Sequence, residues 1–154
     1  MPSCLIVIPA RLKATRLPDK PLADIGGEPM IVHVWRRAVE ADCGPVVVAT
    51  DAEPVRDAIL KAGGEALMTR PDHASGSDRV FEAVTARDSA GELDRVVNLQ
   101  GDLPTLDPAR EAAIIRCLST ASGQCRRTTQ DSPSCLATAR RHWASTASSV
   151  ALRA

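Results

Sequence analysis

The chain has 154 residues, enough for one domain with a real core, and its 44% hydrophobic and 25% charged content is that of an ordinary globular protein. Aromatics make up 2% (Trp35, Trp143 and Phe81, with no Tyr), so the core must be aliphatic, and readers of single-stranded nucleic acid that stack bases on aromatic platforms are disfavoured. A formal net charge of +0 leaves no global field to recruit nucleic acid or an anionic membrane, and neither partner is expected.

That zero conceals an asymmetry. Residues 1–117 hold 14 basic and 18 acidic side chains, whereas residues 118–154 hold 5 basic and 1 acidic.

The first predicted element is Cys4–Ile8, a continuous apolar run. Continuous rather than alternating apolarity marks a strand buried on both faces, as in a parallel sheet. The run is too short for a signal-peptide core, no basic residue precedes it, and Arg11 and Lys13 soon follow. No stretch approaches the ~20 apolar residues of a transmembrane helix, so a cytoplasmic location is expected. The cysteines are Cys4, Cys43, Cys117, Cys125 and Cys135, an odd set without CxxC spacing, which indicates neither a disulfide framework nor a zinc site.

Next comes a loop over Pro9–Leu22 in which Arg11, Lys13, Arg16 and Lys20 fall within ten residues. Such a cluster directly after a buried strand suits a polyphosphate: two unit charges about 4 Å apart in a partly screened site interact by roughly 4 kcal/mol, and Arg forks match phosphate oxygens. The bland alternative is a solvated charged loop. There is no GxxxxGK[ST] and no GxGxxG, so P-loop and dinucleotide chemistries lose support.

Ile31, Val34, Trp35 and Ala38 then follow helical spacing. Val46–Ala49 reads as a second buried strand, with Thr50-Asp51 expected to cap the helix after it, a role in the crevice being the alternative. Val55, Ala58, Ile59 and Ala62 form that helix, stopped by Gly63-Gly64. Glu65–Met68 is a weaker strand. A polar loop, Met68–Arg79, leads into a helix over Ser77–Thr85, with Ser75 or Ser77 as N-cap. His73 in that loop is assigned no catalytic role. Arg95–Leu99 is a further buried strand, followed by Gln100-Gly101-Asp102-Leu103-Pro104. An Asp just past a strand can hold Mg²⁺, which favours carboxylate plus phosphate oxygens, although a turn-capping Asp is the competing reading. A fourth helix begins near Pro108. The β-α alternation predicts an α/β fold, a Rossmann-like doubly wound, mostly parallel sheet, with ligands beyond the carboxyl ends of the strands. The cationic loop and Asp102 should therefore share one rim. Beyond Cys117 the periodicity stops; residues 118–154 contain 12 Ser or Thr and read as a poorly ordered tail after a nucleotide-binding domain over 1–117.

Taken together and in order, Ile8-Pro9-Ala10-Arg11, Thr15–Leu22, Pro29-Met30-Ile31, Ala49-Thr50-Asp51, Met68–Arg79 and Val97–Pro104 resemble the 3-deoxy-manno-octulosonate (Kdo) cytidylyltransferases. The resemblance spans roughly residues 4–117. It implies a Mg²⁺-dependent enzyme with a nucleotide-diphospho-sugar transferase type of core, joining CTP and Kdo into CMP-Kdo and pyrophosphate for lipopolysaccharide synthesis. By the same resemblance Arg11, Arg16 and Lys20 hold the triphosphate. Ala10 and the segment carrying Arg70, Ser75, Gly76 and Ser77 lie near the cytidine, Gln100 faces the sugar, and Asp102 binds Mg²⁺; Arg11, Lys20 and Asp102 carry the catalysis. Ala14 and Leu103 depart from the family's frequent Ser and Glu. The larger departure is the end of the chain: the family runs about a hundred residues further, supplying a dimerisation and sugar-binding region and a second metal-binding Asp. Nothing after Cys117 resembles it, which weakens the expectation of a family-like homodimer and of turnover by this chain. The alternatives are a cytidylyltransferase of the CMP-sialic acid type and a non-catalytic nucleotide-binding fragment.

Overall fold

The computed structural model describes residues 4–12, 19–89, 92–93, 95–102, 104–105, 107–109, 138–139 and 150–152. The expectations for Lys13 to Arg16, for Leu103, for the helix beyond Ala109 and for most of the tail lie outside the described residues.

The first strand, β1 (Cys4–Ala10), runs two residues past the predicted apolar run. A 3-10 turn at Lys20–Leu22 and a small antiparallel hairpin, β2 (Asp24–Ile25) and β3 (Glu28–Pro29), follow it. The hairpin turns through Gly26 and Gly27, whose φ values of 65° and 91° lie in the region that favours glycine. Then come α1 (Met30–Glu40), β4 (Val46–Thr50), α2 (Glu53–Lys61), β5 (Glu65–Met68), α3 (Gly76–Arg87) and β6 (Arg95–Leu99). Two short pieces of the tail also pair with the sheet: β7 (Thr138–Ala139) antiparallel with the start of β6, and β8 (Val150–Leu152) parallel with the rest of it.

The sheet order is β5-β4-β1-β6, with β1 pairing parallel to both β4 and β6. After β5 the chain returns across β4 and β1 to lay β6 on the other side of β1. The switch in strand order therefore falls between β1 and β6, where doubly wound sheets open a crevice at their carboxyl ends.

Both faces of the sheet are covered. Ile6, Ile8 and Ala10 pack with Ile31, Val34 and Ala38 of α1 and Val55 and Ile59 of α2. Leu5, Val7, Val47 and Ala49 pack on the opposite face with Val80, Ala83 and Val84 of α3. Two-sided burial is the reason these strands read as unbroken apolar runs. Among the described residues, no helix is long and apolar enough to cross a membrane.

Candidate active site at the carboxyl rim of the sheet

β1 delivers the cationic loop to this rim. Ala10, buried at the strand's end, pairs with Thr50, and Arg11 follows directly. The loop closes at its base where the Asp19 amide donates to the Leu12 carbonyl at 3.1 Å. Asp19 itself adopts φ 56°, a left-handed conformation that aspartate tolerates better than most side chains. That bend starts the 3-10 turn, in which Pro21 is buried and Lys20 is carried toward the sheet.

β6 delivers the acidic side. Gln100 leaves the strand half-buried, and Gly101 brings the backbone hard against β1. A Cβ on Gly101 would stand 3.0 Å from the Pro9 carbonyl oxygen, and one on Gly76 would stand 3.6 Å from Pro9 Cγ. Pro9 is thus wedged between the turn after β6 and the first residue of α3.

At the centre, Lys20 Nζ donates to Asp102 Oδ2 at 3.1 Å. The side chains are 36% and 53% exposed, so the pair is open to solvent and is worth little as a structural bridge. The convergence of the cationic and acidic stretches at one rim is as the sequence predicts. After the Ser75 hydrogen bonds, the charge of Arg11 is among the lesser causes that lower the pKa of Asp78 on α3. One terminal guanidinium nitrogen of Arg11 is buried without a hydrogen-bond partner. Buried donors in native proteins are normally paired, so this one is suited to an anionic oxygen.

The remaining predicted residues fall as follows. Arg70 is exposed and turned onto Asp72, with Nε donating to Oδ1 at 3.0 Å; that hydrogen bond raises its pKa. Ser75 is the N-cap of α3: its hydroxyl accepts from the Asp78 amide and donates to Asp78 Oδ2, while its own amide donates to the same carboxylate, a complete capping box. These hydrogen bonds hold the Asp78 carboxyl below its ordinary range. Gly76 and Ser77 open the helix beside Pro9, and Arg16 lies outside the described residues.

Of the other residues that shape the rim, Asp51 and Arg79 fall within motifs the sequence marks but in different roles, and Glu82 carries no sequence signal that singles it out. Asp51 does not cap α2. The Thr50 hydroxyl accepts the Ala52 amide at 3.2 Å, and Asp51 instead reaches 3.0 Å from a guanidinium nitrogen of Arg79 on α3. Arg79 is fully buried. It also donates to the Thr69 hydroxyl, which in turn donates to the Thr50 carbonyl at 3.1 Å. Arg79 and Asp51 meet without aligned hydrogen-bond geometry, and Asp51 Oδ1 and Arg79 Nε have no partner. Glu82, one turn past Asp78, accepts the Arg70 amide at 3.1 Å and a hydrogen bond from His73 Nε2. The His73 hydrogen bond is the main cause of a lowered Glu82 pKa.

Mg²⁺ fits this donor set in one way only. Among the described residues no group of three or more carboxylate, imidazole or thiol side chains is placed to hold a metal. Asp102, exposed beside Lys20, could supply one carboxylate ligand to an ion that takes most of its ligands from phosphates and water.

Comparison with known proteins gives the following. Residues 5–140 match the model of the cytidylyltransferase family, past the point where the sequence periodicity stops. A 3-deoxy-manno-octulosonate cytidylyltransferase of Methylorubrum populi is 66% identical over 115 residues, covering 75% of this chain and 47% of that protein. The enzyme of the same name from Paramagnetospirillum magneticum is 66% identical over 104 residues, covering 68% and 42%. Among solved structures, a CMP:2-keto-3-deoxy-manno-octonic acid synthetase complexed with CTP superposes with a TM-score of 0.69 at 43% identity, covering 76% of this chain and 47% of that one. The chain thus spans about half the length of the curated relatives it matches.

Proposed function

Since the chain belongs to the cytidylyltransferase family, we propose that it carries the CTP-binding part of a 3-deoxy-manno-octulosonate cytidylyltransferase, acting in the cytoplasm in the synthesis of lipopolysaccharide. The observation that carries the reading is the 3.1 Å contact between Lys20 and Asp102, which joins the cationic loop to the acidic turn at the switch point of the sheet.

In this reading Arg11, Arg16 and Lys20 take the triphosphate. The buried, unpartnered nitrogen of Arg11 finds a phosphate oxygen, and Lys20 exchanges Asp102 for phosphate. Ala10 and the segment from Arg70 through Ser75, Gly76 and Ser77 border the cytidine. Arg70 is free to leave its exposed partner Asp72, whereas the hydroxyl and the amide of Ser75 are both committed to the helix cap, so Ser75 shapes the loop rather than donating to the nucleotide. Gln100 faces the sugar. Mg²⁺, when bound through Asp102 and the phosphates, neutralises charge on the leaving pyrophosphate. The residues hold the α-phosphorus in line for attack by the anomeric hydroxyl of Kdo; positioning and charge neutralisation supply the catalysis. The unit concerned is residues 1–117.

Titration of the purified chain with CTP in the presence of MgCl₂, with ATP and GTP as competitors, tests the proposal. Saturable binding that favours CTP is expected. No binding at millimolar CTP, or equal binding of all three nucleotides, refutes it.

A further inference from the structure

The loop between β5 and α3 is held at three places. At its start, Thr69 is buried and fastened to the sheet, its amide donating to the Thr50 carbonyl at 2.8 Å and its hydroxyl to the same oxygen at 3.1 Å. At its end, Ser75 is fastened to α3 by the capping box with Asp78. Between these anchors Arg70, Pro71, Asp72 and Ala74 are exposed. The middle is held by Glu82. One of its carboxylate oxygens accepts both the Arg70 amide, at 3.1 Å, and His73 Nε2. Asp78 and Glu82 stand four residues apart, on one face of α3. That face therefore offers two carboxylates, one to each half of the loop.

We infer that Glu82 is a positioning residue for the nucleotide: it touches no ligand, but folds the Arg70–Ser75 loop down onto α3 so that the loop and the helix start at Gly76 meet Pro9 as one wall of the crevice. The inference rests on the proposed binding of CTP at this rim. It adds a specific division of labour. Arg11 and Lys20 sit on other segments, after β1, and do not depend on Glu82. The loop that Glu82 shapes borders the base and ribose side alone.

The test uses the full chain with Glu82→Ala and Glu82→Gln, titrated in parallel with CTP and with inorganic triphosphate, both in MgCl₂, alongside hydrogen exchange of the 69–76 amides. Glu82→Ala is expected to accelerate exchange at Arg70 and to weaken CTP about tenfold, the order of losing hydrogen bonds to one carboxylate in a partly exposed setting. Inorganic triphosphate should bind within about threefold of wild type, because its cations are untouched. Glu82→Gln keeps a carbonyl oxygen for both donors and should restore CTP affinity to within about threefold. A merely structural role would weaken both ligands together. The inference is overturned if Glu82→Ala leaves CTP affinity unchanged while wild type binds, if triphosphate weakens equally, or if Arg70 exchange does not change. Failure of the wild-type chain to bind CTP at all overturns the reading of the site and this inference with it.

Discussion

Replacing Lys20 with Ala separates what the Lys20–Asp102 contact does for the fold from what it does for a ligand. The pair is 36% and 53% exposed, so its contribution to stability is at most ~1 kcal/mol. For a chain of this size the loss lowers Tm by no more than ~4 °C. The effect on triphosphate binding is larger. A unit charge about 4 Å from a phosphate charge, in a site of effective dielectric near 20, gains ~4 kcal/mol. Wild type gives up the Asp102 pair, ~1 kcal/mol, before that gain is made. The surplus is ~3 kcal/mol, and screening at this open rim trims it toward ~2 kcal/mol. Lys20→Ala should therefore raise the Kd for CTP by about 30- to 150-fold. Lys20→Arg, which keeps the charge, should stay within about tenfold. Calorimetric titration with CTP in MgCl₂, run beside thermal denaturation, measures both effects. CTP affinity within threefold of wild type in Lys20→Ala would show that Lys20 does not face the phosphates.

Asp102→Asn should abolish the gain in CTP affinity given by MgCl₂ over EDTA, while leaving metal-free binding equal or tighter because Lys20 is released; paired titrations decide it. Arg79→Met leaves the half-buried Asp51 carboxylate without its charge partner and should cost about 3–5 kcal/mol, whereas the double substitution Arg79→Met with Asp51→Leu should recover a large part of that, read as urea midpoints. The loop over residues 70–78 should loosen in acid. Asp78 and Glu82 both have pKa values lowered from 3.8 and 4.5 by their hydrogen bonds, so their contribution is complete above about pH 4.5 and is lost as pH falls through the depressed values; amide exchange at Arg70 and Ser75 between pH 6 and pH 3 reports it.

Much of this was legible in one dimension. β1, β4 and β6 are buried on both faces, and that burial writes itself as unbroken apolar runs at Cys4–Ile8, Val46–Ala49 and Arg95–Leu99. The helices follow from 3.6-residue spacing, and of the two caps the sequence offered for α3, Ser75 and Ser77, the structure uses Ser75, so the helix begins at Gly76 rather than Ser77. In doubly wound sheets ligands gather where strands end, so the same runs placed Arg11, Lys20 and Asp102 on one rim before any distance was known. The hairpin of β2 and β3 was not legible, because two-residue strands carry no period.

The charged partnerships were not legible either. Hydropathy assigns Arg79 to the surface, yet it is fully buried, because the end of β4 supplies Asp51 and the start of the next loop supplies Thr69. Glu82 falls on the polar side of a helix by its spacing and gives no sign that Arg70 and His73 fold back onto it. Periodicity reports which side of an element is apolar, a property each segment holds by itself. Which polar groups meet is set by how distant segments cross, and that is decided only when the sheet and its helices are assembled.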